Sequence, residues 1–181
     1  MDRKQLVQTL HSYSSPYREE VVFINRFIEL LTHPRCYFRD HLPGHITGSA
    51  WIIDPQKKVV LLTHHAKLNK WLQPGGHADG EENIFDVAKK EMEEETGITN
   101  STKPISFFDI DIHQIPARKD FPAHDHYDIR FLFESDSSTP LAISNESIDL
   151  KWIKWNELDN YTEANSSINR MLEKTLTSYS A

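Results

Sequence analysis

Residues 76–98 decide the fold, and they read GHADGEENIFDVAKKEMEEETGI. The spacing of the apolar residues predicts a helix from Glu82 to Thr96, whose buried face carries Ile84, Phe85, Ala88 and Met92. Gly97 follows at the position of a left-handed C-terminal cap. Gly75 and Gly76 precede the helix, and because they have no side chains they allow a ligand or a metal ion to approach the backbone closely.

Three carboxylates share one face of this helix, because Glu91, Glu94 and Glu95 stand at positions i, i+3 and i+4. Each like-charged pair at such a spacing costs roughly 0.2–0.5 kcal/mol, and the negative end of the helix dipole disfavours each anion by about 0.3–1 kcal/mol. A hard divalent cation would remove the conflict, because Mg²⁺ binds oxygen ligands. A solvated acidic surface is the alternative interpretation of a glutamate run taken alone.

The whole segment resembles the Nudix box, whose pattern is G-x5-E-x7-R-E-U-x-E-E-x-G-U, where U is an aliphatic residue. Every fixed position matches except Lys90, which stands where the family has Arg. More loosely, the flanks from about His45 to Phe133 are similar to a Nudix domain. The resemblance implies an α/β fold, the Nudix α/β/α sandwich with a mixed sheet, preceded here by an N-terminal helical extension.

The resemblance also implies a function, namely a metal-dependent hydrolase that cleaves a diphosphate linkage in a nucleoside diphosphate derivative by water attack on phosphorus. It implies that Glu91, Glu94 and Glu95, with the backbone carbonyl of Gly75, hold a catalytic Mg²⁺ or Mn²⁺. Glu91 is then the best candidate for the general base, with Lys90 orienting it. Because Lys offers a point charge where Arg offers a planar fork, we expect Lys90 to orient Glu91 less rigidly.

Two other functions are compatible with the same resemblance. One is a non-catalytic Nudix-like nucleotide sensor, although a pure binding role would not require all three carboxylates. The other is an enzyme similar to isopentenyl diphosphate isomerase, which needs an active-site cysteine. Cys36, the single cysteine of the chain, lies in the N-terminal segment outside any such motif, which disfavours this alternative.

The rest of the chain predicts an extension at residues 1–44 that packs on a Nudix domain at residues 45–181. Apolar residues at spacings of three and four predict helical structure in residues 1–33 and 165–177. Residues 71–76 are predicted to lead into a loop. Runs of apolar and β-branched residues predict strands at 46–53, 58–63, 105–112, 127–133 and 150–153.

A second group of candidate residues alternates along the predicted strand near residue 130. His124, His126, Asp128 and Arg130 share one face, and two interpretations stay open: they line the substrate pocket opposite the glutamate helix, or they form the solvent-facing side of an edge strand. In the first, Arg130 grips phosphate oxygens bidentately and the histidines donate to phosphate. The His-x-His spacing could also bind a transition metal. His77, next to the glycines, is a further pocket candidate.

Charge and composition restrict the partners. The formal net charge of −7 argues against a broad grip on nucleic acid or on an anionic membrane, whereas a small phosphorylated substrate is compatible with it. No long apolar run follows the N-terminus and none approaches the ~20 residues that a membrane span needs, so we expect neither a signal peptide nor a span. A single cysteine favours a reduced, cytoplasmic setting. A monomer and a homodimer both remain open.

Overall fold

The structure is a computed structural model, and it describes residues 1–100, 106–119 and 121–179. In the described residues, two helices precede four strands, a third helix and three more strands follow, and a 3-10 helix (Trp155–Glu157) leads into the last two helices. The helices are α1 (Arg3–Ser12), α2 (Arg18–Leu30), α3 (Ile84–Thr96), α4 (Asp159–Thr162) and α5 (Ser166–Tyr179). The strands are β1 (Gly44–Asp54), β2 (Val59–His65), β3 (Lys70–Leu72), β4 (Gly75–His77), β5 (Ser106–Ile115), β6 (His124–Glu134) and β7 (Ser147–Lys154).

The seven strands found in the described residues join one mixed sheet. Its main order is β3-β2-β1-β6-β5, while β4 pairs with the first half of β1 and β7 pairs with β2. The long β1 and β6 run parallel to each other, with His45 opposite His126. The other pairs are antiparallel. Strand β1 therefore lies at the centre of the sheet and contacts β2, β4 and β6.

Alternation along β1 separates two hydrophobic cores. Ile46 and Ile52 pack on one face with residues of α1, α2 and α3, whereas Trp51 and Ile53 pack on the other face with residues of α5. Full burial of such an isoleucine contributes about 1.5–3 kcal/mol. Helices thus cover both faces of the sheet, and the predicted α/β sandwich with a mixed sheet is confirmed.

The N-terminal helices pack against the sheet and against α3. Leu6 and Phe27 are fully buried in the core that α3 shares. Arg3 forms an ion pair with Glu82 at 2.7 Å, just before α3 begins. Glu20 of α2 is also fully buried, and it accepts hydrogen bonds from Lys174 Nζ (2.6 Å) and from the Ile110 backbone N–H (3.2 Å). The division of the chain into residues 1–44 and 45–181 stays a prediction.

The predicted elements are present with shifted bounds. The glutamate helix begins at Ile84 and not at Glu82. It ends at Thr96 as predicted, and Gly97, with a left-handed φ of 76°, forms the predicted cap. The helical prediction for residues 1–33 is interrupted at 13–17, and Ile105 lies outside the described residues. Residues 71–76 contribute to two short strands instead of a loop, because pairing with β1 stabilises β4 there.

Strand β6 lies between β1 and β5 and not at an edge. The interpretation of its polar side as the solvent-facing side of an edge strand is therefore wrong. None of the helices in the described ranges has the length and the apolar character to cross a membrane.

Candidate active site

Helix α3 presents the three glutamates at different depths. Met92 and Ala88 hold the helix on the sheet with fully buried side chains. Glu95 is consequently buried, with 8% of its surface exposed, whereas Glu91 is half-buried and Glu94 is exposed. The exposure of the carboxylates therefore increases from Glu95 through Glu91 to Glu94.

Glu95 is a buried carboxyl group with an incomplete set of hydrogen-bond partners. Its Oε1 accepts a hydrogen bond from the Gly75 backbone N–H at 3.0 Å, but its buried Oε2 has no hydrogen-bond partner among the residues that the structure describes. The Thr63 hydroxyl, which forms a hydrogen bond with Ser147 Oγ at 2.6 Å, also lies close enough to the Glu95 carboxylate to lower its pKa as a hydrogen-bond donor. Burial, followed by the charge of Glu91, raises the pKa of Glu95 to about 7. A cation beside Oε2 would satisfy this oxygen and stabilise the charged form.

Glu91 lies against the backbone of β4. A side chain at Gly76 would overlap the Glu91 carboxylate, so the glycine permits this close approach. Burial raises the pKa of Glu91, and the charge of Glu94 raises it further. Glu91 and Glu95 therefore both contact the Gly75–Gly76 segment, and each carries a charge that its surroundings disfavour.

Glu94 has a partner of its own at the surface. The Lys90 ammonium lies 3.6 Å from Glu94 Oε1, one helical turn away, and both side chains are largely exposed. The structure therefore places Lys90 beside Glu94, and the predicted orientation of Glu91 by Lys90 stays a prediction. An exposed pair of this kind contributes only about 0.3–0.5 kcal/mol, so Glu94 can exchange Lys90 for another cation at little cost.

The three predicted histidines meet a fourth one that the sequence did not single out. His45 on β1, His77 on β4 and His126 on β6 form a triangle, with ring centroids 5.2 Å (His45–His77), 5.0 Å (His45–His126) and 4.9 Å (His77–His126) apart. His124 stacks on His45 at 5.0 Å. His45 lies just before the strand predicted at 46–53, and the parallel pairing of β1 with β6, which brings it to the other histidines, leaves no local signal in the sequence.

Burial governs the charge of these imidazoles. It is the largest cause that lowers the pKa of His77 to about 4 and of His126 to about 2, and it also lowers the pKa of His45. Neighbouring histidines lower the pKa of all three further. The cluster is therefore neutral at pH 7, and it offers lone pairs and not positive charge.

Asp128 and Arg130 are buried, and both form hydrogen bonds within the protein. Asp128 accepts hydrogen bonds from Thr47 (3.0 Å) and Ser49 (2.7 Å), and Arg130 Nε donates to it at 2.8 Å. The other guanidinium nitrogens of Arg130 donate to Asp109 and Asp111, and 2% of the residue is exposed.

The expectation that Arg130 grips substrate phosphate does not fit this geometry. All three of its nitrogens already have internal acceptors. Ser167 of α5, which accepts a fourth hydrogen bond at 3.0 Å, covers this part of the face. A substrate phosphate would have to displace these buried partners to reach the guanidinium.

Comparison with known proteins assigns the fold to a family. A family model for the NUDIX domain matches residues 43–174. The chain belongs to this family. Family membership confirms the recognition of the Nudix box and the predicted enzyme class, a Nudix hydrolase.

Solved structures share the Nudix fold at low sequence identity. An Ap4A hydrolase from C. elegans superimposes with a TM-score of 0.55 at 17% identity, over 73% of this chain and 95% of that one. The NUDIX domain of NrtR from Shewanella oneidensis, solved with ADP ribose, gives 0.56 at 15%, over 72% and 84%. A MutT protein from Methanosarcina mazei Go1 gives 0.51 at 22%, over 73% and 92%. These likenesses concern the fold alone, and no curated protein matches the chain significantly.

Within the Nudix fold, Cys36 lies away from solvent. It is fully buried in the core beneath α1 and α2, and burial raises the pKa of its thiol to about 11. A thiol with this pKa is protonated at neutral pH and is a poor nucleophile. The isomerase alternative, which needs a reactive cysteine, receives no support from this position.

Proposed function

We propose that this Nudix hydrolase cleaves a diphosphate linkage in a nucleoside diphosphate derivative and requires Mg²⁺ or Mn²⁺. The observation that carries the proposal is the buried, unpartnered Oε2 of Glu95 beside the half-buried Glu91. An unpartnered buried carboxylate oxygen is costly, because its desolvation is not offset. A divalent cation with oxygen ligands is the partner that offsets it best.

The donor set fits such an ion. Glu91, Glu94 and Glu95, with the backbone carbonyl of Gly75, would hold it, and Glu94 would leave Lys90 to join the set. When bound, the ion neutralises charge on the phosphoryl oxygens and lowers the pKa of a coordinated water. The Gly75 N–H keeps Glu95 in place through Oε1, so its Oε2 stays directed away from that hydrogen bond.

The protein's own groups complete the reaction. Glu91 acts as the general base and takes the proton of the attacking water, for which a pKa raised by burial is an advantage, because a base works best with a pKa near the working pH. Lys90 balances the negative charge of this helix face and orients the carboxylates. Phosphoryl transfer needs mainly positioning and charge stabilisation, so these few groups suffice.

The substrate binds on the sheet face that carries His77, His124, His126 and Asp128. His77 directly follows Gly76 in β4, so the two residues point to opposite faces of the sheet: Gly76 faces Glu91, and the histidine face meets the glutamates only at the backbone of β4. The three histidines form the substrate wall, because Asp128 and Arg130 are both 2% exposed and have internal hydrogen-bond partners. The expected ligand is a small phosphorylated molecule of the cytoplasm.

A panel assay tests the proposal. Nucleoside diphosphate derivatives are incubated with the enzyme and Mg²⁺ or Mn²⁺, and products are identified by mass spectrometry in isotopically labelled water. We expect at least one derivative to yield two phosphate-bearing products, one with the label on phosphorus. Hydrolysis at the same rate without divalent metal, or tight nucleotide binding without any turnover, would refute the proposal.

A further inference from the structure

A row of histidines crosses four neighbouring strands of the sheet. We define the histidine row as His77 on β4, His45 on β1, His126 on β6 and His113 on β5. His45 and His126 are direct partners across β1 and β6, and His126 and His113 are direct partners across β6 and β5. His77 pairs with Thr47, two residues along β1 from His45. Strand alternation therefore directs all four imidazoles to one face.

Three of these imidazoles converge. In the described parts of the chain, one set of three His, Cys, Asp or Glu side chains has donor atoms that all lie within 4.8 Å of one another, and it consists of His45, His77 and His126. A tetrahedral ion with bonds of about 2.0–2.1 Å places its donors roughly 3.3 Å apart, so small side-chain rotations suffice.

The rings of His45 and His126 are oriented so that one nitrogen of each remains available to a metal ion. The Nε2 atoms of His45 and His126 are buried, and within the described part of the chain they have no hydrogen-bond partner. The other ring nitrogen of His45, Nδ1, faces the backbone carbonyl of His41 at 3.4 Å. A histidine ligand ordinarily has this arrangement, with one nitrogen fixed by a carbonyl and the other directed at the metal.

We propose that His45, His77 and His126 bind one divalent ion of the first transition series, with Zn²⁺ as the representative. Neutral imidazoles are the ligand form that such ions require. The nitrogen donors select transition metals over Mg²⁺, which prefers oxygen. Three protein ligands leave one position of a tetrahedral ion for water or another small ligand.

This site is chemically distinct from the carboxylate site on α3. It uses nitrogen donors from three strands, whereas the other uses oxygen donors from one helix and one glycine. The proposal does not depend on the hydrolase activity, because metal binding is measured without substrate.

Co²⁺ reports on the site directly, since its visible absorption distinguishes tetrahedral nitrogen ligation from octahedral oxygen ligation. The full-length protein is freed of metal with a chelator and titrated with Co²⁺ in excess Mg²⁺, which occupies the carboxylates. We expect an intense tetrahedral band that saturates at one equivalent and disappears when Zn²⁺ is added. A weak octahedral spectrum, or no saturation at one equivalent, would overturn the proposal.

Variants locate the ligands. His45→Asn and His126→Asn should each weaken Co²⁺ binding by about 100-fold or more, beyond the roughly 10–100-fold effect of losing a second-shell partner. His77→Asn, at a half-buried position, provides a third test if either buried variant unfolds, as judged by circular dichroism.

Two controls complete the set. His64→Asn alters a histidine that stacks on Trp71 outside the row, and Glu91→Gln alters the carboxylate site. Both should retain the tetrahedral band. An unchanged band in folded His45→Asn, His77→Asn and His126→Asn, or an equal loss in His64→Asn or Glu91→Gln, would contradict the assignment.

Discussion

Two clusters of carboxylates in this protein differ in whether the chain supplies positive charge beside them. At the end of α3, Glu91 and Glu95 lie near each other and have raised pKa values. On β5, Asp109 and Asp111 are also buried, yet their pKa values are lowered by Arg130 and Arg170.

The difference lies in what the chain supplies to each cluster. The aspartates are completed internally, because Arg170 Nε lies 2.8 Å from Asp109 Oδ2 and Arg130 Nη1 lies 3.1 Å from Asp109 Oδ1. Beside Oε2 of Glu95, by contrast, none of the described residues supplies a cation of this kind. Burial alone therefore does not mark a functional carboxylate, whereas burial without a counter-charge indicates that an external cation completes the site.

Removing Arg130, one of the internal cations of the aspartate cluster, should have the largest effect. Arg130→Met keeps much of the side-chain volume but leaves Asp109, Asp111 and Asp128 without their shared partner. We expect the free energy of unfolding to fall by about 3–5 kcal/mol, the usual cost of breaking a buried ion pair.

Chemical denaturation measures this loss. Arg35→Met is the control, because the Arg35–Asp40 pair is exposed and should contribute at most about 1 kcal/mol. Equal losses of unfolding free energy in the two variants would show that Arg130 does not stabilise the buried aspartates.

The stability of the metal-free protein should depend on pH through Glu95. Its pKa is about 7 in the folded state against 4.5 when unperturbed, so the folded state retains a proton that the unfolded state has lost. Stability should therefore fall as the pH rises from 4.5 to 7, by on the order of 3 kcal/mol, since one pKa unit corresponds to about 1.4 kcal/mol.

The comparison of wild type with Glu95→Gln in EDTA isolates this effect. The buried histidines contribute in the opposite direction, because their lowered pKa values favour folding as the pH rises. Their contribution is common to both proteins and cancels in the difference. A difference between the two proteins that stays constant from pH 4.5 to 7 would contradict the raised pKa.

Glu95→Gln should also reduce turnover. The substitution keeps the size of the side chain and removes an anionic ligand, so we expect kcat to fall by about 100-fold or more, equivalent to at least about 2.7 kcal/mol. Glu93→Gln is the matched control, because Glu93 occupies a variable position of the box and pairs with Lys89 at 3.6 Å. A similar loss in both variants would indicate damage to the helix and not to the site.

The smallest effect is expected from Lys90→Arg. The substitution restores the residue of the family pattern and offers a planar fork to the carboxylates. Since Lys90 already lies beside Glu94 at the surface, kcat/KM should be unchanged or modestly higher. Steady-state kinetics, with Lys89→Arg as the comparison, tests this, and a collapse of activity would reveal a role specific to the lysine ammonium.

Local spacing in the sequence predicted one part of the site and missed another. The glutamate helix follows from residues within one stretch of 23, so its periodicity and its glycine cap were sufficient to predict it. The histidine row and the partners of Arg130 depend on strands that pair across the fold. His45 and His126, for example, are 81 residues apart yet opposite each other.

Alternation correctly gave the shared face of His124, His126, Asp128 and Arg130, but it could not indicate what covers that face. The arginine was assigned to phosphate because its acceptors, Asp109 and Asp111, lie on another strand. Likewise, the strand at Gly75–His77 exists because β1 pairs with it, and glycines carry no strand signal of their own.

Metal removal and replacement in one assay tests the central claim most directly, namely that an external divalent cation completes the glutamates of α3. The enzyme is assayed on the substrate found in the panel, first after treatment with EDTA and then after stepwise addition of Mg²⁺, in wild type and in Glu95→Gln. The account predicts that EDTA abolishes hydrolysis, that Mg²⁺ restores it in the wild type, and that Glu95→Gln requires more Mg²⁺ and recovers far less. Full hydrolysis in EDTA, or equal recovery of the two proteins at the same Mg²⁺ concentration, would contradict it.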